Sequence, residues 1–185
     1  LVVKQVFELG LERIGESYLQ EAEFKMDLLE EFPIEWHMIG YIQSGKERQI
    51  ARRFDVIHSI DRVEVAEKIN QEAGKLDKKI PIFLEINVSG EETKHGFQAW
   101  KESQWDGLRQ GFENIFQFEF LEVQGLMTMA PYAEQPEKAR PYFQKLRKLR
   151  DDLQSRYPDQ PLEELSMGMS GDYLVAVEEG ATYLR

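Results

Sequence analysis

The sequence has no cysteine, so neither a disulfide framework nor a thiolate metal centre is open to it. Its three histidines do not fall at zinc-ligand spacing, which argues against a metal site. No apolar run approaches membrane-span length, because Glu, Asn or His interrupts the strand-like runs. Nothing at the start reads as a signal peptide. Basic residues are the minority, 23 against 34 acidic ones, for a net charge of −11. No Lys/Arg stripe interleaved with aromatics offsets that deficit, so nucleic acid is not expected as a direct partner. These absences together fit a protein of the reducing cytoplasm. What remains, 185 residues with 42% apolar and 31% charged content, suits one globular domain with a sizeable core.

Helix and strand patterns alternate along the whole chain without a long linker. Val2 to Leu9 reads as a helix closed by Gly10, and Glu12 to Glu16 as a short strand. Ser17 is placed to cap a helix running to about Glu31. Strands are expected at Ile34–Gly40, Val56–Ile60, Ile80–Val88, Phe118–Leu126 and Leu162–Met167. Helices are expected at Lys46–Arg53, from a capping box at Asp61 and Glu64 to near Gly74, at Gln98–Arg109, at Glu137–Tyr157 and at Asp172–Glu179. Ala181 to Arg185 opens a further strand. Such alternation predicts parallel strands with helical crossovers. The count fits a TIM-type (β/α)8 barrel that lacks its first strand and the end of its last βα unit, with an open doubly wound sheet as the alternative. The chain is thus expected to be a single barrel domain, incomplete at both ends.

Parallel barrels carry their sites at the C-terminal ends of the strands. In Ile80–Val88 the period of two puts Ile82, Leu84, Ile86 and Val88 under the helices, and Phe83, Glu85 and Asn87 inside. Glu35, His37 and Ile39 share one face of their strand in the same way. Inward Glu, Asn and His must bond a ligand or one another, and either a binding site or a satisfied polar layer meets that need. Ser166-Met167-Gly168-Met169-Ser170-Gly171-Asp172 joins a strand end to a helix start. Its glycines let backbone approach an anion such as phosphate, although a plain helix cap at Ser170 reads equally well. Gly40 to Lys46 matches the first part of a P-loop, but Glu47 stands where a Ser or Thr should hold magnesium. No nucleophile elbow with an ordered Ser-His-Asp set is present.

The motifs resemble those of the pyridoxal phosphate (PLP) homeostasis protein family. Ile14-Gly15-Glu16-Ser17-Tyr18-Leu19-Gln20-Glu21 looks like its second-strand motif, and Trp36-His37-Met38-Ile39-Gly40-Tyr41-Ile42-Gln43 with Lys46 like its signature stretch. Ile86-Asn87-Val88-Ser89-Gly90-Glu91-Glu92-Thr93-Lys94-His95-Gly96 looks like its fifth-strand motif. Gly125-Leu126-Met127-Thr128 and Leu165-Ser166-Met167-Gly168-Met169-Ser170 complete the set.

The resemblance implies a barrel of PLP fold type III, similar to the N-terminal domain of alanine racemase, with PLP as cofactor. It makes Ser170 a phosphate contact, Arg185 the arginine facing the pyridine nitrogen, and Ser166 and Met127 pocket lining. Ser17 stands where the family usually has asparagine, and Gly45 where it has a polar or basic residue. With His37, Asn87 and Gly168 from the strand and loop readings, these complete the expected cofactor-binding set. No catalytic residue is assigned, because the family's Schiff-base lysine is expected to lie before Leu1. Lys4, within a helix, is a poor substitute.

A cation beside the pyridine nitrogen disfavours its protonation, and an unprotonated ring is a weak electron sink. The implied function is therefore an intracellular PLP holder in cofactor and amino-acid homeostasis, without strong catalysis of its own. The implied state is a monomer or weak dimer, with PLP-dependent enzymes as acceptors if the cofactor is handed on. The alternatives are a PLP-dependent amino-acid racemase on the same barrel and an interaction module that has lost the cofactor.

Overall fold

A computed structural model describes residues 2–185. Strands β1 (Arg13–Glu16), β2 (Glu35–Met38), β3 (Val56–Ile60), β4 (Ile80–Asn87), β6 (Leu121–Met127) and β7 (Glu164–Ser166) form one sheet in the order β1-β2-β3-β4-β6-β7. The two-residue strand β5 (Phe97–Gln98) pairs off the main path with β4. Every pair is parallel, so the chain must cross back between neighbours, through the loop 88–96 between β4 and β5 and through helices elsewhere. Strand order never reverses. That excludes the doubly wound alternative and leaves a half-barrel, TIM-like sheet.

The helices are α1 (Val2–Glu8), α2 (Leu19–Leu28), α3 (Glu47–Arg53), α4 (Val63–Lys75), α5 (Trp105–Phe116), α6 (Arg140–Arg156) and α7 (Tyr173–Glu178). Their apolar stripes cover the outer face of the sheet. In α6, Phe143, Leu146, Leu149 and Leu153 are buried, and they share the outer core with Ile82, Leu84, Ile86 and Val88 of β4. Phe83, from the opposite face of β4, joins Val56 and Met127 in a separate inner cluster. The alternation expected for β4 is therefore present.

Four local expectations change. The helix expected at Gln98–Arg109 begins only at Trp105, because Phe97 and Gln98 pair with Ile86 and Asn87 and a turn at Glu102–Gln104 intervenes. The strand expected from Phe118 begins at Leu121, since α5 runs to Phe116. Neither Ser17 nor Asp61 caps a helix: Tyr18 and Arg62 hold the cap positions without side-chain bonds, and the Asp61 carboxylate accepts from Arg62 Nη1 at 2.6 and 2.7 Å. Residues 181–185 form no regular strand. They make one parallel bridge, Ser166 to Tyr183, and Met167 N–H donates to the Tyr183 carbonyl at 3.1 Å. Among the described residues no strand pairing joins β1 to the Tyr183 segment, and the Arg13 guanidinium lies 5.6 Å from the Tyr183 ring.

Gly125 sits opposite Glu164 in the β6–β7 ladder, and a Cβ added there would penetrate the Glu164 carbonyl. Gly125→Ala must push two backbones apart and is expected to destabilise by about 1–3 kcal/mol. A urea midpoint equal to wild type would show that the strands part freely.

Candidate functional site

The inner face of the sheet carries polar groups that the outer face does not. His37 on β2, His58 on β3, Glu85 and Asn87 on β4, and Ser166 on β7 are all buried. They point inward for the same reason that Phe83 does: each lies on the barrel phase of its strand. Burial of such groups is tolerable only with partners, and the two histidines, Asn87 and Ser166 have them. His37 Nε2 lies 2.7 Å from Glu35 Oε1, and His37 Nδ1 lies 2.8 Å from His58 Nε2. His58 Nδ1 lies 2.8 Å from Ser166 Oγ. Arg185 Nη1 donates to Ser166 Oγ at 2.9 Å and to the Ser166 carbonyl at 3.0 Å, while Nη2 donates to the Thr128 carbonyl at 2.9 Å.

Burial governs the charge states here. It drives the His58 pKa down to about 2, with His37 and Arg185 adding repulsion, so the ring is neutral. It also lowers His37, against the pull of Glu35. Arg185 falls to about 10 by burial, offset by Glu85 and Asp172, and stays cationic at neutral pH. Burial and the Asp61 charge raise Glu85 to about 7, against Arg185 and Lys94.

A cavity of about 320 Å³ opens beside this group, lined in part by Gly15, His37, His58, Tyr183 and Arg185. That is the small end of the range for small-molecule pockets. Met127 lies in the inner cluster beneath, packed with Phe83 and Tyr183. Gly168, at φ +97°, has no room for a side chain against Ala176, and its carbonyl accepts from the Arg185 amide at 3.0 Å.

The other expected contacts lie elsewhere. Ser170 is exposed in a separate hollow of about 190 Å³ with Pro131, Tyr132, Met169 and Gly171. Helix α7 starts at Tyr173, and it is Asp172 that accepts from the Met169 amide at 2.7 Å, so Ser170 does not cap it. The amides of Ser170 and Gly171 make no hydrogen bond among the described residues. Ser17 lines a third hollow with Tyr41 and Lys46, away from Arg185. Asn87, one of the expected cofactor contacts, is bound into its own loop: Nδ2 donates to the Glu91 carbonyl and Gln98 Oε1, and Oδ1 accepts from the Ser89 and Gly90 amides. His37 is engaged at both ring nitrogens by protein groups.

Sequence reasoning missed His58. Every residue of β3 is buried, which erases the polar-apolar contrast that betrays an inward face. The signal available was spacing, since His58 alternates with Val56 and Ile60. Tyr183, stacked edge-on against Phe83 at 5.3 Å, carried no sequence signal.

Among the described residues, no cluster of three metal-ligating side chains exists, and no helix is long and apolar enough to cross a membrane. The family model of the alanine racemase N-terminal domain matches residues 1–185. A pyridoxal phosphate homeostasis protein of Aquifex aeolicus is 41% identical over 184 residues, covering 100% of this chain and 78% of its own. PipY of Synechococcus elongatus, solved with PLP bound, superposes at TM-score 0.88 with 31% identity, over 100% of this chain and 83% of that one. Alanine racemase of Clostridium difficile superposes at 0.73 with 16% identity, over 92% of this chain and 44% of that one, which shows the shared fold alone. With the half-barrel and its inner polar group already in place, the match over the full length establishes that the chain belongs to the pyridoxal phosphate homeostasis protein family.

Proposed function

We propose that this chain binds PLP in the inner cavity of the half-barrel and serves intracellular PLP homeostasis as a holder of the cofactor rather than as a catalyst. Arg185 carries the reading. A guanidinium has five N–H donors and no acceptor, and three hydrogen bonds to Ser166 and Thr128 hold this one in place. Two donors are left for a ligand. A fixed cation of this kind accepts a ring nitrogen only in its unprotonated form. PLP, when bound, supplies an aldehyde for amine chemistry and a ring whose electron demand depends on that nitrogen. His37 and His58 are both engaged within the protein, so neither is free to move a proton at a substrate. The unpartnered amides of Ser170 and Gly171 suit a phosphate; they line a hollow distinct from the Arg185 cavity, and Ser170 lies two residues beyond Gly168, whose carbonyl accepts from the Arg185 amide.

Titration with PLP, followed by absorbance and tryptophan quenching, tests the reading. Wild type is expected to bind, and Arg185→Met to bind about tenfold or more weakly, as loss of a charge-assisted hydrogen bond dictates. Equal affinities would remove Arg185 from the site. No lysine of this chain is expected to carry a covalent link to the cofactor. Lys4 lies on α1 beside Glu8 and Phe32, Lys46 borders the Ser17 hollow, and no lysine lines the Arg185 cavity. A pyridoxyl group found on Lys4 or Lys46 after borohydride treatment and peptide mapping would show the opposite.

A further inference from the structure

Resting on that placement of PLP, we propose that Glu35, His37, His58 and Ser166 form a one-way hydrogen-bond relay that anchors Arg185 and aims its remaining donors into the cavity, with His58 as the positioning residue. Each link is within hydrogen-bond reach: 2.7 Å from Glu35 to His37, 2.8 Å from His37 to His58, 2.8 Å from His58 to Ser166 and 2.9 Å from Ser166 to Arg185.

The direction follows from the chemistry of the ends. Arg185 can only donate, so Ser166 Oγ accepts from it. The single hydroxyl proton of Ser166 must then go to its other neighbour, His58 Nδ1. That leaves His58 Nδ1 without a proton of its own, and a neutral ring carries it on Nε2. Nε2–H faces His37 Nδ1, which must accept. The proton of His37 therefore sits on Nε2 and is donated to the Glu35 carboxylate. Glu35 also meets Arg13 Nε at 3.1 Å, which closes the charge balance at the floor of the sheet. The opposite direction fails at Ser166, whose oxygen would face two donors while its own proton had no acceptor. Deep burial of both rings excludes the cationic states that would break the order. The relay joins residues of β2, β3 and β7 to the final residue of the sequence, so Arg185 is aimed by the barrel rather than by its own segment.

The test has a ligand-free arm and a ligand arm. Nitrogen-15 spectra of the free protein at neutral pH should show both His37 and His58 as neutral Nε2–H tautomers. A His58 with its proton on Nδ1 would overturn the relay. In PLP titrations, His58→Phe keeps a ring against Phe83, which now stacks on His58 at 4.2 Å, but removes both nitrogens. It should weaken binding roughly two- to tenfold, and His58→Gln, with one donor and one acceptor, should restore part of the loss. In an Arg185→Met background, His58→Phe should cause no further loss. The same loss with and without Arg185 would mean that His58 acts independently of it, and the relay would be wrong. Ser166→Ala breaks the chain at a small residue and replaces His58→Phe in this cycle should the latter not fold. If wild type takes up no PLP at all, the proposed function falls, while the tautomer pattern still upholds or overturns the relay.

Discussion

Phe83→Ala is expected to destabilise the protein by about 3–5 kcal/mol, the range for truncating a buried phenylalanine. Phe83 has no exposed surface and sits at the centre of the inner cluster with Val56 and Met127. Its ring stacks on His58 with centroids 4.2 Å apart and an interplanar angle of 12°, and meets Tyr183 edge-on at 5.3 Å. The strands around it cannot collapse inward, because the ladders of β3 and β6 hold their spacing to β4. A cavity is the consequence, and the cost of a cavity adds to the lost transfer energy. Phe83→Leu keeps much of the volume and should cost less than half as much. Urea unfolding of the three proteins measures the effect, and a loss below about 1 kcal/mol for Phe83→Ala would show that the inner cluster contributes little.

Acidification should separate two buried groups of opposite sign. His58 has a depressed pKa, about 2 in the fold against 6.5 unfolded. Its contribution is fully present above pH 6.5 and is lost as the pH falls, because the unfolded chain takes up the proton first. Glu85 has a raised pKa, about 7 against 4.5. Its contribution is fully present below pH 4.5 and is lost as the pH rises through 7. Between pH 7 and pH 5 each changes stability by about 2 kcal/mol, in opposite directions. The two therefore nearly cancel in the wild type. Glu85→Gln leaves His58 unopposed, and its stability should fall by about 2 kcal/mol over that interval. His58→Gln leaves Glu85 unopposed, and its stability should rise by about 2 kcal/mol. Other titrating groups are common to both variants, so the test lies in the difference of about 4 kcal/mol between the two profiles. Parallel profiles would show that these groups titrate in the fold as they do in the unfolded chain.

Much of the architecture is legible in the residue pattern. Period-two alternation placed Phe83 and Glu85 inside and Ile82, Leu84 and Ile86 outside, because a pleated strand leaves no other choice once its two faces differ in burial. The same reasoning turned His37 inward. Element ends were less legible. The loop after β4 reads as the start of a helix from Gln98, yet the Asn87 side chain gathers that loop and hands it to β5 first. Nothing in the local pattern announces that the Asn87 carbonyl, 12 residues back, will accept from the Ala99 amide and so hold that stretch in the sheet.

By itself the sequence determined the parallel sheet, the inward polar face and the family whose motifs it carries, since each depends on residue type and short-range spacing. Tertiary structure alone decided what that polar face is bonded to. His58 reaches His37 across 21 residues and Ser166 across 108, and those contacts exist only because parallel pairing sets β2, β3 and β7 at a common height. It also set Ser170 and Arg185 against different hollows and bound the Asn87 side chain to its own loop. Periodicity names the face a side chain occupies. The partner it meets there depends on the register and stagger of strands far away in the chain, which no local pattern encodes.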